Sequence, residues 1–328
     1  MPTDLTLAQT DTATLRKVFG QAVLQTAKGL RTHAQLRPQL AQLPERTLLQ
    51  RLTEPSVAVL GRTLLLQPFP LHADDRARVA LELVSRLSNQ AEPDASTRVP
   101  IDAAFPALVL ALRDNNPLPI FAEHPERHGN VVGLGDHELG EWMAMLRQCL
   151  AVIAQHMPLL ADEMRLLLRH IVPAGYDAEK HQSASYLHHL GVIYLTLHPS
   201  VMTMTEALIH EFQHNKLHAL LQLDPVLANG TLPQFASPVR PDLRPLRGIL
   251  LAVHAFLPVA ALYRRMLAAG DPLAKSHYFA VRMAQIDAIN HQGCETLRHH
   301  GQWTPVGRRL WPQIDQLDRN FAPKADLA

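Results

Sequence analysis

The sequence is poor in cysteine, in aromatic residues and in net charge, and each shortage removes a class of protein from consideration. Only two cysteines occur, Cys149 and Cys294, and they form no CxxC pair. That argues against a disulfide framework and against a thiolate zinc knuckle, and it fits a reducing cytoplasm. Lysine and arginine total 31 against 30 acidic residues, so no global field draws the chain toward nucleic acid or an anionic bilayer. Any partner is therefore expected to be recognised locally. The opening Met1-Pro2-Thr3-Asp4-Leu5 lacks the basic start and apolar run of a signal peptide. Residues 248–263 are the most apolar stretch, shorter than the roughly 20 residues of a spanning helix. They contain His254 and Pro258 and read as a buried core helix, so no membrane partner is expected.

Apolar residues make up 47% of 328 positions, enough for one large core or two ordinary ones. Helical spacing of these residues predicts helices over 12–34 and 77–87, the second behind Asp74-Asp75. It predicts further helices over 138–156 and 159–171, parted by Pro158, then 202–223, 246–267, and from Asp271-Pro272 to about 300. The run Gly191-Val192-Ile193-Tyr194-Leu195-Thr196-Leu197 is β-branched and aromatic and has strand length. Residues 89–130 are rich in Pro and Asp, as 229–245 are in Pro, and both read as loops with little regular structure. The expected division is a helical N-terminal layer over 1–130 and a catalytic region over 131–328, or one continuous domain.

Among 19 histidines, position decides which matter. His210-Glu211-Phe212-Gln213-His214 is an HExxH motif, and histidines four apart on a helix project from one face and can share a divalent transition metal. The apolar flanks Ala207-Leu208-Ile209 and Ala219-Leu220-Leu221 bury this helix, and buried imidazoles need partners. A third ligand has to come from elsewhere. His254, alone inside an apolar helix, is the first candidate, with His198, His277 and Glu206 behind it; His218 extends the row. A strand leading into an HExxH helix is a zincin-like core, so the expected fold is mainly α with a small β element around that core. HxD and HxE matches at His72-Ala73-Asp74 and His124-Pro125-Glu126 are discounted, because roughly two arise by chance in such a composition.

HExxH alone suggests a zinc metallopeptidase in which Glu211 is the general base toward zinc-bound water. Two histidines and a third ligand with open positions equally suit Fe(II). Arg240-Pro241-Asp242-Leu243-Arg244-Pro245-Leu246-Arg247 leads directly into the helix that carries His254. Arg247 precedes His254 by about two turns, so both are expected on one face, the guanidinium ~10 Å along the axis. Arginine suits bidentate capture of a carboxylate, here the far end of a chelating dicarboxylate; Arg244 is the next candidate.

Over roughly residues 180–265 the chain resembles the HExxH-type peptide-modification proteins, 2-oxoglutarate-dependent β-hydroxylases of ribosomally made peptides. The resemblance rests on the strand before Ile209-His210-Glu211-Phe212-Gln213-His214-Asn215-Lys216-Leu217, the arginine segment through Gly248, and Val253-His254-Ala255-Phe256. It implies an Fe(II) enzyme that consumes dioxygen and 2-oxoglutarate and hydroxylates a β-carbon, of aspartate first, in a precursor peptide. Carried over, His210 and His214 bind iron, His254 is the third ligand and Arg247 anchors 2-oxoglutarate. Glu211 then supports or positions rather than acting as a hydrolytic base.

Overall fold

A computed structural model describes residues 12–65, 71–88, 95–121 and 132–321. In chain order these form α1 (Thr12–Thr32), α2 (Arg37–Leu40), α3 (Glu45–Arg51), α4 (Pro55–Leu65), α5 (Ala73–Ser88), β1 (Arg98–Pro100) and β2 (Val109–Ala111). There follow α6 (Leu139–His156), α7 (Pro158–Leu167), β3 (His170–Tyr176), β4 (Ser183–Ala184), β5 (Val192–Leu197) and α8 (Val201–Leu221). The chain continues through β6 (Pro233–Ala236), β7 (Leu243–Pro245), α9 (Leu246–Ala268), α10 (His277–His300) and α11 (Gly307–Phe321). The fold is mainly helical with a small mixed sheet, as expected.

Two compact units interleave along the chain. One, the sheet unit, takes the described parts of Leu15–Gln148 and Glu163–Met204; the other, the histidine unit, takes those of Cys149–Asp162 and Thr205–Ala328. Strand pairing is the reason: β2 needs β3 as its neighbour, so the later strands join the N-terminal helices in one unit.

The sheet runs in the order β1-β2-β3-β5-β4, with β2, β3 and β5 mutually parallel and the outer pairs antiparallel. Every residue of β5 is buried, which explains its unbroken apolar and β-branched run: a parallel strand covered on both faces has no solvent side to alternate toward. The same rule corrects one expectation. The helix foreseen over 159–171 stops at Leu167, and His170 and Ile171 instead pair in β3 with both β2 and β5, Val172 with β5. A short apolar run does not declare its period, and here two partner strands decide it. Beneath the helices of this unit lies a leucine-rich cluster that includes Leu30, Leu48, Leu60, Leu64 and Leu83.

In the histidine unit the foreseen loop 229–245 holds a two-stranded hairpin, with Phe235 opposite Arg244 and Pro233 opposite Pro245. The prolines stand at the hairpin's ends, where a missing N–H costs the ladder least. Helix α9 runs 23 residues, long and apolar enough by composition to cross a bilayer, yet 78% of its most apolar window is buried inside the protein. Its neighbour α10 comes so close that a Cβ at Gly293 would stand 2.4 Å from Val253 Cγ2. Only glycine lets the two helices approach to that depth. Around this contact Ile249, Leu250, Val253, Leu257, Cys294 and Leu297 form the unit's apolar core.

Candidate metal centre

Three residues after β5, Ser200 starts α8; its Oγ accepts the Thr203 N–H at 3.2 Å. Leu208, Ile209, Phe212, Leu217 and Ala219 on this helix are all fully buried. A helix apolar on so many sides carries polar residues inside with it.

One ring nitrogen each from His210 and His214 and a carboxylate oxygen of Glu211 lie within 4.8 Å of one another. The two rings meet edge to face, centroids 4.4 Å apart and planes at 84°, and Phe256 of α9 covers His210 at 4.5 Å. The Nδ1 atoms of both histidines are buried and without a hydrogen-bond partner. Burial drives His210 well below the usual imidazole range, helped by the charge of Arg282, and lowers His214 to about 4. Both rings are thus neutral near pH 7, the form that offers a lone pair to a metal. A buried nitrogen left unsatisfied costs about 1–3 kcal/mol, and two in one cluster fit a site that a cation completes. Ligands about 2.1 Å from a common ion lie ~3–4 Å apart, so modest side-chain rotation closes the set. Two imidazoles and a carboxylate suit Zn(II) or Fe(II).

His254 is fully buried, as its place in an apolar helix suggested, but it is not part of this cluster. Its ring hydrogen-bonds to the backbone of Gln213, and its Nδ1 has no partner. Desolvation holds it well below the usual range, and the charge of Lys216 adds to the effect. His218 extends the row, its ring stacked on His214 at 6.0 Å.

The alternative ligands are spent elsewhere. Glu206 accepts from the Tyr263 hydroxyl and from Arg282 at 2.9–3.0 Å. His277 is exposed at the start of α10, and His198, in the sheet unit, accepts the Ser200 N–H at 3.0 Å. His72 and Asp74 are exposed around the start of α5, and His124-Pro125-Glu126 lie outside the described residues.

Arg247 and His254 do not share surroundings: Arg247 is exposed whereas His254 is buried. Equal angular position fails here because Arg247 stands in the first turn of α9, where the same face is no longer covered. Arg244 is half-buried and paired with Asp242 at 3.0 Å. The guanidinium that does act on the cluster is Arg282, whose charge reaches His210 and which lies 6.0 Å over the Phe256 ring. No local motif marks it. Its only sequence signal is helical register on α10, which gains meaning once Glu206 and Tyr263 are seen beside it.

No protein-family model matches the chain, and no curated protein matches it significantly.

Proposed function

We propose that this chain is an Fe(II)- and 2-oxoglutarate-dependent oxygenase that hydroxylates a β-carbon, of aspartate first, in a ribosomally made precursor peptide. The reading is supported by one observation above the rest: two neutral, half-buried imidazoles and a buried carboxylate gathered within 4.8 Å on one helix. This is the two-histidine, one-carboxylate donor type of non-haem iron oxygenases. It also extends the resemblance of the strand, the HExxH helix and the arginine segment to HExxH-type peptide-modification proteins, and with it the zincin-like arrangement.

His210 and His214 would hold the ion, and Glu211, whose carboxylate stands in the cluster, is the third donor we assign; His254, against the Gln213 backbone, fixes the helix behind it. Bound iron would supply the activation of dioxygen with 2-oxoglutarate as co-substrate. The protein's part is to keep both rings neutral, which burial does, and to exclude water, for which Phe256 and the apolar flank of α8 are in place. Arg247, exposed and with no acid partner among the described residues, is assigned to the far carboxylate of 2-oxoglutarate, with Arg244 secondary because Asp242 already holds it. Tyr263 and Arg282 act through Glu206 as positioning residues. Their locus of work is the cytoplasm, where ferrous iron and precursor peptides meet.

A zinc metallopeptidase is the second reading, favoured by the burial of Glu211 beside both histidines, where a general base belongs. Anaerobic reconstitution with Fe(II) followed by 2-oxoglutarate titration separates the two. A visible charge-transfer band, lost in His210→Ala and weakened in Arg247→Ala, is the expected result. Tight zinc, no band and peptide cleavage would overturn it.

A further inference from the structure

The sheet unit contains a pocket of about 550 Å³, within the size range of small-molecule sites. Its walls are aliphatic and aromatic, with Phe19, Val23, Leu52, Ala58, Leu167 and Leu190 among them. Three arginines, Arg16, Arg62 and Arg169, line it as well, and no acidic residue does. Arg16, Gly20 and Leu24 on α1 are exposed, so this edge of the pocket meets solvent.

Arg62 is the unusual member. It lies on α4 with only 4% of its surface exposed, and its Nε–H is buried without an acceptor. Among the described residues it has no carboxylate partner. Glu54, the carboxylate whose charge acts on Arg169, pairs with Arg98 at 3.3 Å. Its charge is felt by His188 and His189, both of which burial keeps neutral. Burial alone pulls the guanidinium down to about 10, so it remains charged at neutral pH. A buried guanidinium without a counter-ion is expensive, and such charges are normally paired. Here the missing partner has a place to sit, since Arg62 lines an open apolar pocket.

We infer that this pocket binds an amphipathic carboxylate: one anionic head at Arg62, with Arg169 and Arg16 beside it, and an aliphatic chain along the leucine wall. A single head suits the site better than a polyphosphate, because apart from the three guanidiniums the lining is almost wholly apolar. The inference is independent of the metal-centre reading, whose residues all lie in the other unit.

The test is calorimetric titration of the full chain with dodecanoate and, in parallel, with dodecanol as its uncharged counterpart. One-to-one binding of dodecanoate, at least tenfold tighter than the alcohol, is expected. Arg62→Met should bring the two within about twofold of each other, since only the head loses its partner. Without ligand, Arg62→Met should melt no lower than the wild type, because it removes an unpaired buried charge. Gly20→Phe keeps folding out of the question: a Cβ at Gly20 meets open space, and the ring would enter the pocket from α1 and weaken acid and alcohol alike. Equal binding of acid and alcohol by the wild type would overturn the inference. So would undiminished dodecanoate binding by Arg62→Met, a lowered melting temperature of that variant, or binding of an acidic apolar peptide but not of the fatty acid.

Discussion

Each unit holds a histidine-rich polar group, and the two are built on different plans. In the sheet unit the His189 ring meets the Tyr194 hydroxyl at 2.8 Å, Tyr194 donates to Asp114 at 2.6 Å, and Asp114 also takes the Asn115 N–H at 2.8 Å. The chain of donors ends on a carboxylate within the protein, while His189 Nε2 stays without a partner. In the histidine unit the Nδ1 atoms of His210, His214 and His254, and both polar atoms of the Gln213 side chain, have no partner. A hydrogen-bond chain that ends on a carboxylate is a structural device that fixes one arrangement of a core. What sets the second group apart is convergence: a ring nitrogen each of His210 and His214 and an oxygen of Glu211 lie within 4.8 Å of one another, a geometry that a cation can complete.

Removing a ligand should have the largest effect. His210→Ala or His214→Ala is expected to abolish iron retention and to lower turnover at least 100-fold, measured by metal analysis and peptide hydroxylation, whereas His189→Ala should leave iron content unchanged. Retained iron in either ligand variant would erase the distinction between the two groups. Glu211→Gln comes next: as third donor it should cost ten- to 100-fold in iron affinity, while His254→Ala retains iron. The opposite pattern would make His254 the ligand, and full metal retention with complete loss of turnover would favour a hydrolytic base.

Tyr194→Phe attacks the hydrogen-bond chain of the sheet unit. It strands His189 and Asp114 together, and a loss of about 2–4 kcal/mol in chemical denaturation is expected, with iron binding intact. Acidification sharpens the same point. Burial lowers His188 to about 4 and His170 to about 3, from an ordinary value of 6.5. The unfolded chain therefore binds these protons first, so their stability contribution is complete above about 6.5 and is lost as pH falls toward 4 and then 3. Denaturation midpoints measured between pH 7 and pH 4 should decline through that window, and a flat profile would show these imidazoles to be solvated. Smallest of all, Gly293→Ala should cost about 1–3 kcal/mol by forcing Val253 aside.

What could be read from sequence follows the range of the forces involved. The helix over 201–221 announced itself through local periodicity, the strand before it through its β-branched and aromatic composition, and the histidine pair through its spacing along that helix. His254 was recognisable as buried because a polar residue in an apolar helix has nowhere else to go. Strand β3 was hidden, since Ile171 and Val172 are equally at home in a helix until β2 and β5 flank them. Hidden too were Arg282, 76 residues beyond the Glu206 it holds, and Asp114, 80 residues before Tyr194. Long-range pairing of that kind leaves no periodic trace, and the pocket around Arg62 belongs to the same category.

The tryptophans give the protein an optical reading of each unit. Trp303 and Trp311 stack in the histidine unit, centroids 4.9 Å apart and planes at 17°, close enough for their excited states to couple. Trp142 stands alone in the sheet unit, fully buried, its indole N–H donating to the Leu134 carbonyl at 2.9 Å. An exciton couplet in circular dichroism therefore reports on one unit and an isolated, blue-shifted emission on the other. The chain carries two spectrally separate reporters of its own packing, so the proposed iron site and the inferred fatty-acid pocket can each be tested without attaching a probe.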